Sequence, residues 1–341
     1  MDFPVSISVI MATYNTGIPM LKEAVDSILN QTFSDFEFII IDDGSTNDSG
    51  EYLRSLSDKR VKIIWSPENN GITKSLNIGL REAKGKYIAR MDADDVSLPT
   101  RFEREFRFME ENPDVIVCGA RIGIIDEKSN VTKKARKMQE PEDMESYRVR
   151  MLFMNPGPIH PTAFFRHEVL IDNHIFYDEN LTYAQDYGMW ETISHYGKIV
   201  TLEEELLYHR RHGKQITTAR RDVQMRCDKM TQKKILTALL GNVSDAEVDL
   251  HYTYSTGYFK DAMINEEINK WYECLLEANR NRHIYDQGKL RKRIITIKKN
   301  LIRQTIKNDP SAPKARLVFR YLPFFPAVRA LIGICRSSAS S

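Results

Sequence analysis

Residues 86–95 read KYIARMDADD, a run from Lys86 to Met91 that closes on the carboxylates Asp92, Asp94 and Asp95. Tyr87, Ile88, Ala89 and Met91 follow a turn expected at Gly85, so residues 86–91 predict a buried strand. Pro99 follows shortly after the acids. Carboxylates gathered at a strand's C-terminal end repel one another and lose hydration unless positive charge sits between them. A divalent cation meets that need, and hard oxygen ligands at i and i+2 favour Mg²⁺ or Mn²⁺ over zinc. A lone D-x-D is more often a solvated acidic turn, so its weight depends on what surrounds it.

Working outward, strand-like runs occur at 5–12, 36–42, 61–65 and 114–118, with helical patterns at about 18–31, 46–57, 72–84 and 99–111. This alternation predicts an α/β fold with a mostly parallel central sheet, flanking helices and right-handed crossovers. Beyond about residue 140 the pattern loosens, with short strands near 161–165 and 198–207 and a helix near 185–196. From about 218 it turns helical and basic, which predicts a catalytic domain over 1–220 and a helical extension over 221–341. In open α/β sheets ligands sit outside the carboxyl ends of the strands. Three expected strands end in polar residues: Ala12-Thr13-Tyr14-Asn15, Asp42-Asp43-Gly44-Ser45 and the D-x-D. All three ends fall on one edge, which turns a weak motif into a candidate site.

Asp43 can accept hydrogen bonds from a ribose or a uracil imide, and Tyr14 offers a ring face to a base. The plainer reading of 42–45 is a turn with a helix N-cap. No G-x-G-x-x-G follows the first strand and no Walker lysine motif occurs, so ordinary dinucleotide and P-loop binding are disfavoured. A metal-bridged nucleoside diphosphate fits better, because a cation would neutralise the diphosphate as a leaving group.

The 341 residues are 42% hydrophobic and 28% charged, ordinary for a soluble globular protein. Cys118, Cys227, Cys274 and Cys335 are widely spaced, which predicts reduced, non-metallic thiols. The chain begins directly in a strand pattern and has no run of about 18 apolar residues, so a cytoplasmic protein is expected. Net charge is +2, yet residues 280–341 carry 15 Lys/Arg and 2 Asp/Glu, a net of +13, while the first 279 carry 34 and 45, a net of −11. A basic tail on an acidic body suggests contact with an anionic surface, membrane or nucleic acid; the alternative is a helical hairpin with a solvated basic face.

Seven stretches carry a specific resemblance: SVIMATYN (8–15), ILNQTFSDFEFIIIDDGS (28–45), NNGITKSLNIGLREAKGKYIARMDADD (69–95), Pro99 with Arg101, HPTAFFR (160–166), AQDYGMW (184–190) and LLYHRRHGKQIT (206–217). In this order they resemble a family 2 glycosyltransferase of the bacterial surface-polysaccharide type, with the Rossmann-like type A nucleotide-sugar-binding fold. The resemblance implies inverting transfer from a nucleotide-diphosphate sugar, usually UDP-linked, with Mn²⁺ or Mg²⁺. It implies a nucleoside contact at Asp43, a direct metal ligand at Asp94, and a ribose, sugar or metal contact at Asp92. Ala12, Tyr14, Asn15, Asn70, Lys74, Ala93 and Arg211 would complete the donor site. His212 would face the diphosphate or the metal, Asp186 would be the catalytic base, and His160 and Gln185 would face the acceptor. Many relatives carry an arginine where this chain has Leu76, so the resemblance leaves open which basic side chain reads the donor.

Two other functions compete. A sugar nucleotidyltransferase would share the sheet and the carboxylates, but would want a Gly-rich basic loop where residues 12–17 offer only Gly17. A nucleic-acid-binding protein using the basic C-terminal helices leaves the strand-end acids unexplained. No Q-x-x-R-W follows Asp186, which disfavours a processive synthase. The expected acceptor is a glycan or polyprenyl-diphosphate-linked oligosaccharide, with no nucleic-acid partner expected and a peripheral place on the inner membrane face.

Overall fold

The computed structural model describes residues 3–134, 143–212, 221–255 and 262–309, together with 311, 317, 320 and 321. The tail residues Lys314, Arg316, Phe324, Phe325, Arg329, Leu331 and Ile332, on which the membrane-contact reading rests, lie outside the described residues. The chain forms two compact units, one of residues 1–144 with 156–231 and one of 145–155 with 232–341.

The first unit is built on a nine-stranded sheet. Its strands are β1 (Val5–Thr13), β2 (Phe36–Asp42), β3 (Val61–Trp65), β4 (Gly85–Asp92), β5 (Val96–Ser97), β6 (Val115–Ile125), β7 (Val131–Lys133), β8 (Phe164–Arg166) and β9 (Lys198–Arg210). The spatial order is β3-β2-β1-β4-β8-β6-β9-β5, with β7 paired to β6. β3, β2, β1 and β4 run parallel; β8 is antiparallel to both β4 and β6, and β9 is parallel to β6. β1, β2 and β4 are buried along most of their length, as strands covered on both faces are, while edge strand β3 is partly exposed.

Helix α1 (Ile18–Leu29) starts with proline in its first turn and buries Leu21, Ala24, Val25 and Ile28, one helical stripe. Further helices are α2 (Ser49–Arg54), α3 (Ile72–Glu82), α4 (Arg101–Glu111), α5 (Met144–Met151), α6 (His167–Asp172) and α7 (Gln185–Ile193). Tyr87, Ala89 and Met91 of β4 join the core formed with α1 and α4. Strand alternation therefore puts Ile88, Arg90 and Asp92 on the opposite face. Beneath the D-x-D, buried Arg101 pairs with Glu105 at 3.0 Å and its Nη2 donates to the Arg90 carbonyl at 3.0 Å.

Gly85, expected as a turn, is instead the first residue of β4, level with Val5. A Cβ there would lie 2.3 Å from the backbone nitrogen of Ser8. Gly85→Ala must push β1 and β4 apart, and we expect a loss of about 3 kcal/mol in urea-monitored stability. A loss below about 0.5 kcal/mol would show that the strands yield freely there.

The second unit is helical: the last part of α8 (Arg221–Leu240), then α9 (Asp245–Ser255), α10 (Glu266–Arg282) and α11 (Gln287–Asn308). Residues 145–155 belong with it because Phe153 stacks on His251 at 5.3 Å and its carbonyl accepts from Gln232 at 3.1 Å. The Nδ1 of His251 accepts from Trp271 at 3.0 Å and its Nε2 lies 2.8 Å from the Leu152 carbonyl. Burial pushes this imidazole down to about 4, so it is neutral and both contacts are ordinary hydrogen bonds. α11 carries eight Lys/Arg and no acid, with Leu290, Ile294, Ile297 and Leu301 on its buried face. Among the described residues no helix is long and apolar enough to cross a membrane.

Candidate active site

The polar strand ends meet on one edge of the sheet. Thr13 stands level with Asp42 between β1 and β2, and Ala12 with Asp92 between β1 and β4. Asp92, Asp94 and Asp95 each bring a carboxylate oxygen within 4.8 Å of the others. Ala93, between them, is buried. His212, just past β9, places Nε2 2.8 Å from Oδ2 of Asp94. Three oxygen donors at this spacing beside an imidazole suit a hard divalent cation.

The acids differ in their surroundings. Asp92 pairs with Arg90, directly below it on β4. Asp95 is fully buried; its Oδ1 accepts from the Arg210 backbone at 2.9 Å and its Oδ2 lies 3.2 Å from Nδ1 of His209. Burial pushes the Asp95 carboxyl up to about 6 against the pull of His209, and Asp92 and Asp94 push it further. Burial opposes charge on His209 too, but the Asp95 carboxylate outweighs it and holds the imidazole above its ordinary range. Buried Arg210 fastens the end of β9: its Nε donates to the Asp94 carbonyl at 2.7 Å, and its Nη1 to the Asp126 carbonyl at 3.1 Å and Ser129 at 2.9 Å. Its Nη2 pairs with Glu23 of α1.

Across the edge, Asp43 accepts from the backbone N–H of Asn70 at 2.9 Å and of Gly71 at 2.8 Å, one on each oxygen. Asn15 adopts a left-handed backbone, and its side-chain oxygen accepts from Thr46 at 2.8 Å and Asn47 at 3.2 Å. Both residues therefore fix loops at the strand ends, whatever else they contact. Tyr14 beside them is 49% exposed, and Lys74 is exposed in the first turn of α3. Arg211 is exposed, its backbone N–H donating to the Ile125 carbonyl at 2.8 Å.

Asp186 lies in the first turn of α7, partly exposed, after Ala184 in a left-handed conformation and next to buried Gln185. The Tyr177 hydroxyl sits in the fields of Arg90, Asp186 and Asp92; burial leads in holding it protonated. That hydroxyl lies 2.8 Å from Nε2 of His160, a buried ring set edge-on to Trp190 at 6.1 Å. Burial, reinforced by Arg90, keeps His160 well below its ordinary range and hence neutral. Sequence reasoning missed Arg90, Tyr177 and His209. A charged residue inside an apolar strand was the signal for Arg90; Tyr177 comes from an irregular segment that offered none.

Comparisons with known proteins agree with this geometry. Residues 8–173 match the model of the family described as Glycosyl transferase family 2. An uncharacterized glycosyltransferase of Haemophilus influenzae is 34% identical over 245 residues, 70% of this chain and 75% of that one. The O-antigen biosynthesis glycosyltransferase WbnJ of Escherichia coli is 33% identical over 216 residues, 61% of this chain and 80% of that one. Among solved structures, S. aureus TarS 1–349 in complex with UDP-GlcNAc aligns with a TM-score of 0.59 at 20% identity, covering 89% of this chain and 92% of that one. The mostly parallel, helix-flanked sheet is the Rossmann-like type A glycosyltransferase fold. With those strand ends, that fold and those relatives, the chain is a member of glycosyltransferase family 2.

Proposed function

We propose that the protein is an inverting, metal-dependent, non-processive enzyme. It would move a sugar from a nucleotide diphosphate, UDP-linked, to a hydroxyl of a glycan or lipid-linked oligosaccharide in surface-polysaccharide synthesis. The carrying observation is the convergence of Asp92, Asp94 and Asp95 at the sheet edge beside His212. Asp94, with His212 alongside, would hold Mn²⁺ or Mg²⁺, which when bound neutralises the diphosphate, and Asp92 would meet the ribose or the sugar. Tyr14 and Asp43 would receive the nucleoside, with Ala12, Asn15, Asn70 and Ala93 shaping the pocket. Lys74 and Arg211, both exposed, would draw in the phosphates. Asp186 would take the proton of the acceptor hydroxyl as that oxygen bonds to the anomeric carbon, the bond to the diphosphate breaking on the opposite side. His160 and Gln185 are buried, so on the acceptor side they would shape the wall rather than exchange protons.

The donor complexes of TarS support a UDP-sugar, and the E. coli relative supports a surface-polymer product. Thermal unfolding with a panel of nucleotide sugars, each with and without Mn²⁺, tests the reading. A ligand at 100 times its Kd stabilises by about 2.7 kcal/mol, so the true donor should stand out and only with metal. No shift with any nucleotide diphosphate would overturn it.

The basic C-terminal region gives a separate expectation, binding at the inner face of the cell membrane. Lysines and arginines near an anionic leaflet are worth about 1 kcal/mol each, and the interleaved aromatic residues can enter the headgroup boundary. Full-length protein should co-sediment with anionic vesicles in a salt-sensitive way, and deletion of residues 312–341 should abolish this. Equal pelleting of both forms, or of neither, would assign the tail to folding or assembly.

A further inference from the structure

We propose that Arg90 is a positioning residue for sugar transfer: its guanidinium clamps Asp92 from below and withholds that carboxylate from the cation, leaving Asp94 to hold it. The inference rests on the reading of the site given above and divides the labour of its acids. Arg90 and Asp92 are two residues apart on β4, so their side chains leave the same face, one beneath the other. Arg90 is 4% exposed and Asp92 is its carboxylate partner. Its Nε and Nη1 are buried with no hydrogen-bond partner. The cleft it lines is otherwise Ile10, Leu76, Leu80, Ile88, Phe165 and Tyr177, apolar but for one hydroxyl.

A buried cation with two idle donors is poor as a stabilising device, because its desolvation is repaid by a single ion pair. Its gain is geometric. Through Nη2 the guanidinium holds one oxygen of the Asp92 carboxylate, and its charge cancels one of three negative charges crowded at the strand end. The Asp94 carboxylate instead meets the imidazole of His212. Asp95 is held by His209 and the Arg210 backbone. Asp92 is thus set as a hydrogen-bond acceptor toward the donor's hydroxyls, while Asp94 stays available as an oxygen ligand.

Titration of the full-length protein with Mn²⁺ alone, by calorimetry or by electron paramagnetic resonance of free Mn²⁺, reads this without turnover. Arg90→Met frees Asp92 and removes the positive charge that offsets it, so it should bind Mn²⁺ at least about tenfold tighter than wild type. The same variant should show a donor KM raised at least about tenfold at saturating metal, because Asp92 loses its orientation. The two effects have opposite signs, whereas general loosening of the strand would weaken both. In Arg90→Met/Asp92→Asn the tightening should vanish. If Arg90→Met shows no cooperative melting, Arg90→Lys takes its place: the ammonium keeps the positive charge but not the Nη2 position, so a smaller tightening is expected. Wild-type binding with no tightening in either variant overturns the role of Arg90 alone. No Mn²⁺ binding by any form overturns both this role and the metal site.

Discussion

Asp94→Asn should abolish sugar transfer while leaving the melting curve close to wild type. The amide still meets His212, so the 2.8 Å contact survives, and the Asp94 carbonyl that receives Arg210 is untouched. What is lost is the negative charge opposite the cation. Stabilising a leaving group in this way is worth several kcal/mol, and each 1.36 kcal/mol is a factor of ten, so a fall of at least about a thousandfold is expected. Initial rates at saturating Mn²⁺ decide it. Activity within about threefold of wild type would remove Asp94 from the cation site.

Asp186→Asn should fail differently. The residue stands in the first turn of α7, and as the base it would act on the acceptor. Its loss should lower kcat by about 100- to 10,000-fold and leave affinity for the nucleotide diphosphate nearly unchanged. Calorimetry with the diphosphate and turnover at saturating donor separate the two quantities. If the variant cannot bind donor yet turns over normally once saturated, Asp186 belongs to the donor site.

Much of this was legible in the chain. β2 and β3 have the limits their apolar runs predict: β2 is buried along nearly its whole length, and edge strand β3, though partly exposed, keeps an unbroken β-branched and aromatic pattern. β6 was read as ending at residue 118 but reaches Ile125, since Gly119 and Gly123 interrupt the apolar pattern while leaving room for Pro158 and Tyr208. β5 has two residues and owes its existence to pairing with Leu207 and Tyr208, a contact no local signal announces. The acids at 92, 94 and 95 were evident from spacing. The basic and aromatic groups that tune them were not, because Arg90 resembled an accident of composition and Tyr177 and His209 arrive from distant segments.

The grip of Asp43 on the Asn70–Gly71 turn has a kinetic consequence. With both of its oxygens already holding backbone N–H groups, the wall of the pocket is set before any ligand arrives. Little ordering entropy remains to be lost on association. Nucleotides should enter in a single fast step without a slow isomerisation phase, and discrimination among them should reside in how long each one stays.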